Sequence, residues 1–292
     1  MINQLLLNAL IAGSIYILIA VSFSLIYQTT RFFHFAHAVV FTSGAYFTYL
    51  FHKLIGFPMI LAIPVAIALA ALVGCGMEIG IYKPLRQKNA SPMVLLLASL
   101  GLYILLQNTI SMVFGDDTKS IRSGVVKEGL NVFGARITPV QIVIIATSIV
   151  LVVMVALWLK KSKMGKAMRA VANDAELAEI SGIDSDHVIL WTFAVGSGLA
   201  SVAGILVALD VDMTPTMGMN ALMMGVVAVI VGGVGSIPGV ALGALLLGLA
   251  QHLGVWKISS QWQDAIAFII LFVFLLVRPQ GFLGRKVRKA AV

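Results

Sequence analysis

The chain has 292 residues, of which 60% are hydrophobic and 11% are charged, and its mean hydropathy is +1.02. This composition excludes a water-soluble globular protein, because a water-facing exterior requires far more charge. The single cysteine, Cys75, excludes an internal disulfide, and the formal net charge of +8 raises the question of a nucleic-acid partner.

Apolar segments of about 20 residues, enough to cross a bilayer as a helix, follow one another along the chain. The candidate spans are 5–28, 33–55, 58–82, 92–114, 138–160, 187–210, 219–235, 236–255 and 261–278. The first span lacks a basic lead-in, so no cleavable signal peptide is expected. Segment 219–235 is short and rich in glycine, and a re-entrant pair of segments there is the main alternative. We predict an all-α membrane protein, a polytopic bundle of eight to nine transmembrane segments in one domain over residues 1–292.

If successive spans cross the membrane in alternating directions, the basic residues are distributed unequally between its two sides. If the polar loop 160–187 is cytoplasmic, the inner side carries 14 of the 20 bases and 6 of the 12 acids, which is the whole net charge of +8. An excess of Lys and Arg marks the cytoplasmic side of membrane proteins, so we predict an outer N-terminus and a cytoplasmic C-terminus. The positive charge is thereby explained by a membrane and its lipid, and no nucleic-acid partner is predicted.

Two polar features interrupt the first three spans. His34 and His37 lie three residues apart, and since no further ligand is near in sequence, packing or lining of a solute path is favoured over a metal site. Glu78 lies about one turn inside the membrane boundary, where an unpaired acid is costly. We therefore predict a structural ion pair between Glu78 and either Lys83 or Arg86.

The fourth candidate span contains three polar exceptions, Ser99, Gln107 and Asn108. Polar side chains inside a membrane either hydrogen-bond neighbouring helices or line a solute path. Both interpretations stay open for these residues, which with His37 are the candidates for a translocation path.

The one long polar interruption is the loop from Lys160 to His187, in which five bases are followed by five acids. Asn173 precedes Glu176 by three positions, a variant of the capping box that begins a helix, and Gly182 is suited to end one. These signals predict a helix of about two turns over Asp174–Ser181, with a small apolar stripe formed by Ala175, Ala178 and either Leu177 or Ile180. Such a short helix is marginal in water, so a partner must receive it unless the loop is a solvated linker. The predicted coupling residues are Asn173, Asp174, Ala175, Glu176, Leu177, Ala178, Glu179, Ser181, Gly182 and Ile183.

Small residues recur every four positions in two places after this loop. This spacing lets membrane helices approach closely, and it predicts helix packing at both places. The residues are Gly196, Ala200 and Gly204, and then Gly235, Gly239 and Gly243.

Several of these segments resemble one protein family. The polar loop is similar to the coupling loop of ABC importer permeases, whose Glu-Ala-Ala…Gly signature stands here as Glu176, Ala178 and Gly182. It is most similar to the loop of branched-chain amino acid importer permeases. The matching positions there are Met164, Gly165, Ala167, Arg169, Ala170, Asp174, Gly182 and Ile183. Further likeness lies at Phe35, Ala36, His37, Gly44 and Tyr46, at Val231–Gly239 and at Arg278–Gly281, whereas His34 and Ala38 replace the family's Asn and Gly.

The resemblance implies the permease subunit of an ABC importer in a bacterial inner membrane. It implies a second, related permease subunit as heterodimer partner, two cytoplasmic ATPase subunits and a periplasmic solute-binding protein. ATP and Mg²⁺ would be bound by the ATPase subunits, and this chain would hold no cofactor, metal or catalytic residue. The implied solutes are branched-chain or other neutral amino acids, urea, amides or small carboxylates.

The alternative function is a secondary transporter or channel that works without an ATPase. Ion coupling would call for ionisable residues at the centres of spans, and the sequence has none there. The Gly-x4-Gly-Lys-Ser/Thr phosphate-binding pattern is also missing from the sequence, so an ATP-driven transporter would take its energy from another subunit.

Overall fold

The computed structural model describes residues 2–122, 129–132 and 134–284, and the regular elements in this part are helices and one short hairpin. The first helices are α1 (Ile2–Thr30), α2 (His37–Tyr49, extended by a π-helical turn, Leu50–Leu54), α3 (Met59–Met77, continued by a π-helical turn, Glu78–Tyr82), α4 (Lys83–Gln87) and α5 (Pro92–Phe114). The antiparallel strands β1 (Leu130–Val132) and β2 (Ala135–Ile137) form the hairpin. The remaining helices are α6 (Pro139–Lys161), α7 (Lys163–Asn173), α8 (Ala175–Ile180), α9 (Ser185–Asp210), α10 (Met217–Gly232), α11 (Ile237–Gly254), a 3-10 turn (Ser260–Trp262) and α12 (Gln263–Val277).

Seven helical stretches within the described residues are long and apolar enough to cross a membrane. They are Ile2–Thr30, Met59–Gln87, Pro92–Phe114, Pro139–Lys161, Ser185–Asp210, Ile237–Gly254 and Ser260–Val277. The prediction of an all-α polytopic membrane protein is therefore confirmed. The two other candidate spans correspond to shorter helices, α2 with 13 residues and α10 with 16, and the total of eight to nine stays a prediction.

The second candidate span, 33–55, begins too early. The chain leaves α1 at Arg31, which has a left-handed backbone with φ of +58°, and turns through five further non-helical residues before α2 starts at His37. A non-glycine residue pays a steric cost at positive φ, so surrounding contacts must hold this corner. The helix that follows is consequently shorter than the apolar run in the sequence suggests.

The core of the bundle is formed by α1 and α9, which pack on each other, together with α2, which packs on α9. Within their membrane-spanning windows, 78% of α1 and 67% of α9 are buried, against 11% of α5 and 6% of α12. α1 packs against α6, α9, α10 and α11, while α9 packs against α1, α2 and α3. The outer helices thus leave apolar faces for lipid or for other subunits.

Glycines allow the closest helix contacts in this core. A Cβ at Gly204 of α9 would collide with the carbonyl oxygen of Phe41 in α2, and a Cβ at Gly196 would press on Ile26 of α1. Ala200, between them, is fully buried. The small residues that the spacing identified therefore form a ridge on α9 that packs against both α1 and α2.

The second predicted glycine series is only partly a packing ridge. Gly239 and Gly243 of α11 lie against the backbone of Gly232 and Ala228 in α10. The packing prediction is wrong for Gly235, which precedes α11 and has φ of +92° in the turn between the two helices. Its role is the left-handed turn conformation, which glycine adopts without a steric penalty.

An ion-pair bridge joins the third membrane span to the start of α9. The predicted pair is confirmed: Arg86 Nη2 lies 2.6 Å from Glu78 Oε1, and Glu78 is 1% exposed. The same nitrogen lies 2.9 Å from Asp186 Oδ1, and Lys83 Nζ lies 3.3 Å from Asp186 Oδ2. Arg86 therefore links α3 and α4 to the first turn of α9, a partner that spacing in the sequence did not indicate.

The glycine contact predicts a contrast between two alanine substitutions. Gly204→Ala should destabilise the purified permease by about 1–3 kcal/mol, because the new methyl group overpacks the α2–α9 contact. Gly101→Ala in α5 meets no atom within 4 Å and should be neutral or stabilising, because alanine favours a helix over glycine by up to about 1 kcal/mol. Denaturation midpoints in detergent measure both, and equal midpoints would contradict the close approach.

The ion bridge predicts a second contrast. Arg86→Gln leaves Glu78 buried without its cation, which should lower stability by about 3–5 kcal/mol. Lys83→Gln removes only a half-exposed pair with Asp186 and should change stability by no more than about 1 kcal/mol. Adding Glu78→Gln to Arg86→Gln should recover part of the loss in the same denaturation measurement. Similar midpoints for the two single variants would mean that the bridge does not stabilise this corner.

Candidate functional site

The polar loop is a second, smaller helical unit rather than an extended linker. α6 ends at Lys161, and the Ser162 hydroxyl accepts a 2.8 Å hydrogen bond from the backbone N–H of Gly165, which caps α7. A side chain at Gly165 would collide with the backbone of Leu159, so glycine permits α7 to fold back across the end of α6. Met168 and Val171 of α7 are buried against the bundle.

The cap of the short helix α8 is one residue later than the sequence predicts. Asn173 is the last residue of α7, and the side chain of Asp174 accepts the 3.0 Å hydrogen bond from the N–H of Leu177. The capping prediction is therefore wrong for Asn173. The reason is that α7 extends through this position, which leaves only the extended residue Asp174 free to cap.

The end of α8 is a Schellman motif built on Gly182. This residue has φ of +83°, its N–H donates to Glu179 O at 2.9 Å, and the N–H of Ile183 donates to Ala178 O at 2.9 Å. These two bonds satisfy the last carbonyl groups of the helix. A helix of only six residues is thus fixed at both ends by side-chain and backbone hydrogen bonds.

The apolar residues of α8 divide between two directions. Ala178 is 4% exposed and packs against its own chain, whereas Leu177 and Ile180 are 58% and 78% exposed. The predicted stripe is therefore wrong for Ala178, which cannot enter a partner's groove while it holds α8 on the bundle. The remaining predicted residues Ala175, Glu176, Glu179 and Ser181 are exposed, and Ile183 is partly buried.

Two hydrogen bonds attach this unit to the rest of the bundle, and an ion pair at the start of α9 extends the connection. The Ser185 hydroxyl donates to Ala175 O at 3.3 Å, which joins α8 to the start of α9. Asp186, one residue later, holds Arg86 as described above. Arg31 donates a hydrogen bond from Nη2 to Ala172 O near the end of α7. A displacement of α7 and α8 would consequently reach α9, α3 and the corner between α1 and α2.

The two histidines lie in that corner and are fully buried. His34 Nδ1 is 3.0 Å from the hydroxyl of Tyr82, and His37 Nε2 is 2.8 Å from the hydroxyl of Ser22. Within the described residues, no group of three or more His, Cys, Asp or Glu side chains is arranged to hold a metal ion. With no exposed surface, His37 lines no open path in this conformation, and its contacts are those of a packing residue.

The other path candidates occupy different environments. Ser99 is fully buried, accepts from the N–H of Phe35 at 2.9 Å and lies 3.1 Å from Phe33 O, so it fastens α5 to the non-helical corner. Asn108 is exposed and donates to Ile104 O at 2.7 Å, and the partly exposed Gln107 is 3.4 Å from the Ser111 hydroxyl. Ser99 thus joins elements of one chain, whereas the bonds of the two amides to other described residues stay within α5.

Comparisons with known proteins agree with this architecture. Residues 5–275 match the family model described as branched-chain amino acid transport system / permease component. The chain is 33% identical to the high-affinity branched-chain amino acid transport system permease protein LivH of Escherichia coli K12, over 97% of this chain and 95% of that protein. It is 32% identical to the corresponding permease protein BraD of Pseudomonas aeruginosa, with the same two coverages.

A solved structure shares the fold at much lower identity. The structure titled PsaBC from Streptococcus pneumoniae in complex with Fab aligns with a TM-score of 0.52 and 12% identity, over 94% of this chain and 91% of that one. This likeness supports the helix arrangement alone. The family model and the relatives above 30% identity, which align along nearly their whole length, establish that the chain belongs to the family of branched-chain amino acid transport system permease components.

Proposed function

We propose that this chain is the permease subunit of an ABC importer and that α8 is the helix through which ATPase subunits drive it. The observation that carries the proposal is the exposure of Leu177 and Ile180 on a six-residue helix that is fixed at both ends. An isolated helix of this length is not stable, and two large exposed apolar side chains on it indicate a partner surface.

The attachments of α8 suggest how movement would pass into the membrane. When ATP binding closes the ATPase subunits, the displaced α8 would pull on α9 through the Ser185 bond to Ala175. The Arg86 bridge would carry the same displacement to α3. Arg31, bonded to Ala172, would carry it to the corner between α1 and α2. Each contact lies at a helix end, where rigid helices can move relative to one another.

The remaining subunits follow from the same proposal. Two cytoplasmic ATPase subunits bind ATP and Mg²⁺, so this chain needs no cofactor of its own, and a periplasmic binding protein delivers the solute. The chain lies in the bacterial inner membrane with its N-terminus outside, and α2 and α10 complete nine membrane segments. Because relatives are named for branched-chain amino acid transport, these amino acids are the proposed solutes, and other neutral amino acids, urea, amides and small carboxylates are alternatives.

A second permease subunit is proposed to cover the amide-bearing face of α5. Only 11% of the membrane-spanning window of α5 is buried within this chain, and Asn108 is exposed on it. Amide groups facing lipid are costly because hydrocarbon offers no hydrogen-bond partner. Gln107 and Asn108 therefore belong at the interface between two permeases, where the solute path would run. The second subunit is proposed to be related to this chain but not identical.

The coupling proposal predicts the effect of charges on α8. Leu177→Asp combined with Ile180→Asp should lower uptake and solute-stimulated ATP hydrolysis by about tenfold or more, because burying an unpaired charge costs well over 1.4 kcal/mol. Glu179→Gln, on an exposed side of the same helix, should keep near-normal activity. The measurement is ATP hydrolysis by the reconstituted complex with and without loaded binding protein. Full stimulation in the double variant would contradict coupling through α8, and uptake driven by an ion gradient without the ATPase would favour a secondary transporter.

The proposed orientation predicts which sites a membrane-impermeant thiol reagent reaches. In a Cys75→Ser background, Asp212→Cys should react in intact cells freed of their outer membrane, because the residue follows α9 on the outer side. Lys88→Cys, in the exposed turn after α4, should react only after the cells are opened. Labelling of the Lys88→Cys variant in intact cells would contradict the proposed orientation and favour the opposite one.

A further inference from the structure

The surface of α7 that faces away from the bundle is strongly basic. Its cations and those at the end of α6 are all exposed, and none of them forms an ion pair within the part of the chain that the structure describes. We call this surface the basic face; it consists of Lys160, Lys161, Lys163, Lys166 and Arg169.

Packing of α7 determines where the basic face points. Lys163, Lys166 and Arg169 recur every three residues and so occupy an arc of about 120° on the helix. The opposite arc carries the buried residues Met168 and Val171. This buried side lies over the ends of α1 and α6, with a small cavity between α7 and those helix ends. Lys163 and Lys166 consequently point away from the helix ends, and so away from the membrane, whereas Arg169 lies at the edge of the face and also lines this cavity.

The basic face is carried by a helix that is adjacent to α8 in the chain and packs against it. α7 ends at Asn173, Asp174 follows directly, and the exposed Leu177 lies within the first turn of α8. A rigid partner that contacts Leu177 and Ile180 would therefore also lie close to α7. Five neighbouring like charges repel one another, and that repulsion is relieved when carboxylates from a partner approach.

We propose that the basic face binds an acidic patch on the same ATPase subunit that receives α8. This contact rests on the proposed function and adds a second attachment to it. The apolar residues of α8 would supply the buried contact, and the charges of α7 would steer the ATPase subunit onto the permease and set its orientation. Charge pairs at the rim of an interface act in this way, and their contribution falls as salt screens them.

The test measures binding of the purified ATPase subunit to the permease pair in nanodiscs of phosphatidylcholine. Lys163→Glu with Lys166→Glu reverses two charges of the basic face, and both positions are exposed, so folding should be unaffected. The matched control is Arg136→Glu with Lys257→Glu, which makes the same change in net charge at two exposed positions on the predicted outer side. Thermal midpoints of both double variants should equal that of the wild type.

We expect the basic-face variant to bind the ATPase subunit about tenfold more weakly at ~0.05 M salt and less than about twofold more weakly at ~0.5 M salt. The control should bind like the wild type at both salt concentrations. Equal binding by the wild type and the basic-face variant would overturn the proposed contact while leaving coupling through α8 intact.

Two further outcomes would also overturn the contact. If the basic-face variant loses affinity for the ATPase subunit only in nanodiscs that contain phosphatidylglycerol, the basic face binds anionic lipid, which also attracts clustered Lys and Arg. A wild-type permease pair that binds no ATPase subunit in any nanodisc would remove the proposed function and this contact together.

Discussion

The structure depends on close contact between helix backbones, because lipid provides no hydrophobic driving force for apolar helices to associate. In lipid, van der Waals packing takes over the role that burial of apolar surface plays in water. Gly196 and Gly204 let α9 approach α1 and α2 at the same time. Ser197 and Ser201 of the same helix lie against Gly74 of α3 and Gly44 of α2. The small side chains of α9 therefore hold three membrane helices around one axis.

Polar side chains fasten the places where this packing is interrupted. The corner after α1 has no continuous helix, and Ser99, His34 and His37 hold it through bonds to backbone, Tyr82 and Ser22. At the boundary next to α8, the Arg86 bridge stabilises a buried acid. Because unsatisfied polar groups are costly in hydrocarbon, these bonds also limit which rearrangements are accessible. Movement is consequently expected between helices and at their ends, rather than within them.

The unit formed by α7 and α8 is buried against the bundle on one side and exposed on the other. Its inner side contributes Met168, Val171 and Ala178 to the core of the chain. Its outer side carries a basic helix and a short helix with two exposed apolar residues. This division suits a part that transmits force, since it must be bound firmly to its own chain and still present a surface to another subunit.

The sequence by itself determined the membrane class, most helix positions, the short helix before Gly182 and the family, because hydropathy, glycine turns and local motifs act over a few neighbouring residues. The tertiary structure alone decided which side of each helix is covered. It turned Ala178 inward and Leu177 outward, moved the cap from Asn173 to Asp174, placed Gly235 in a turn and gave Arg86 a second partner in Asp186. Residues 86 and 186 lie on different helices, and only packing of whole helices brings them together. Such long-range contacts leave no local pattern in the chain, which is why the sequence indicated the coupling segment but not its attachments.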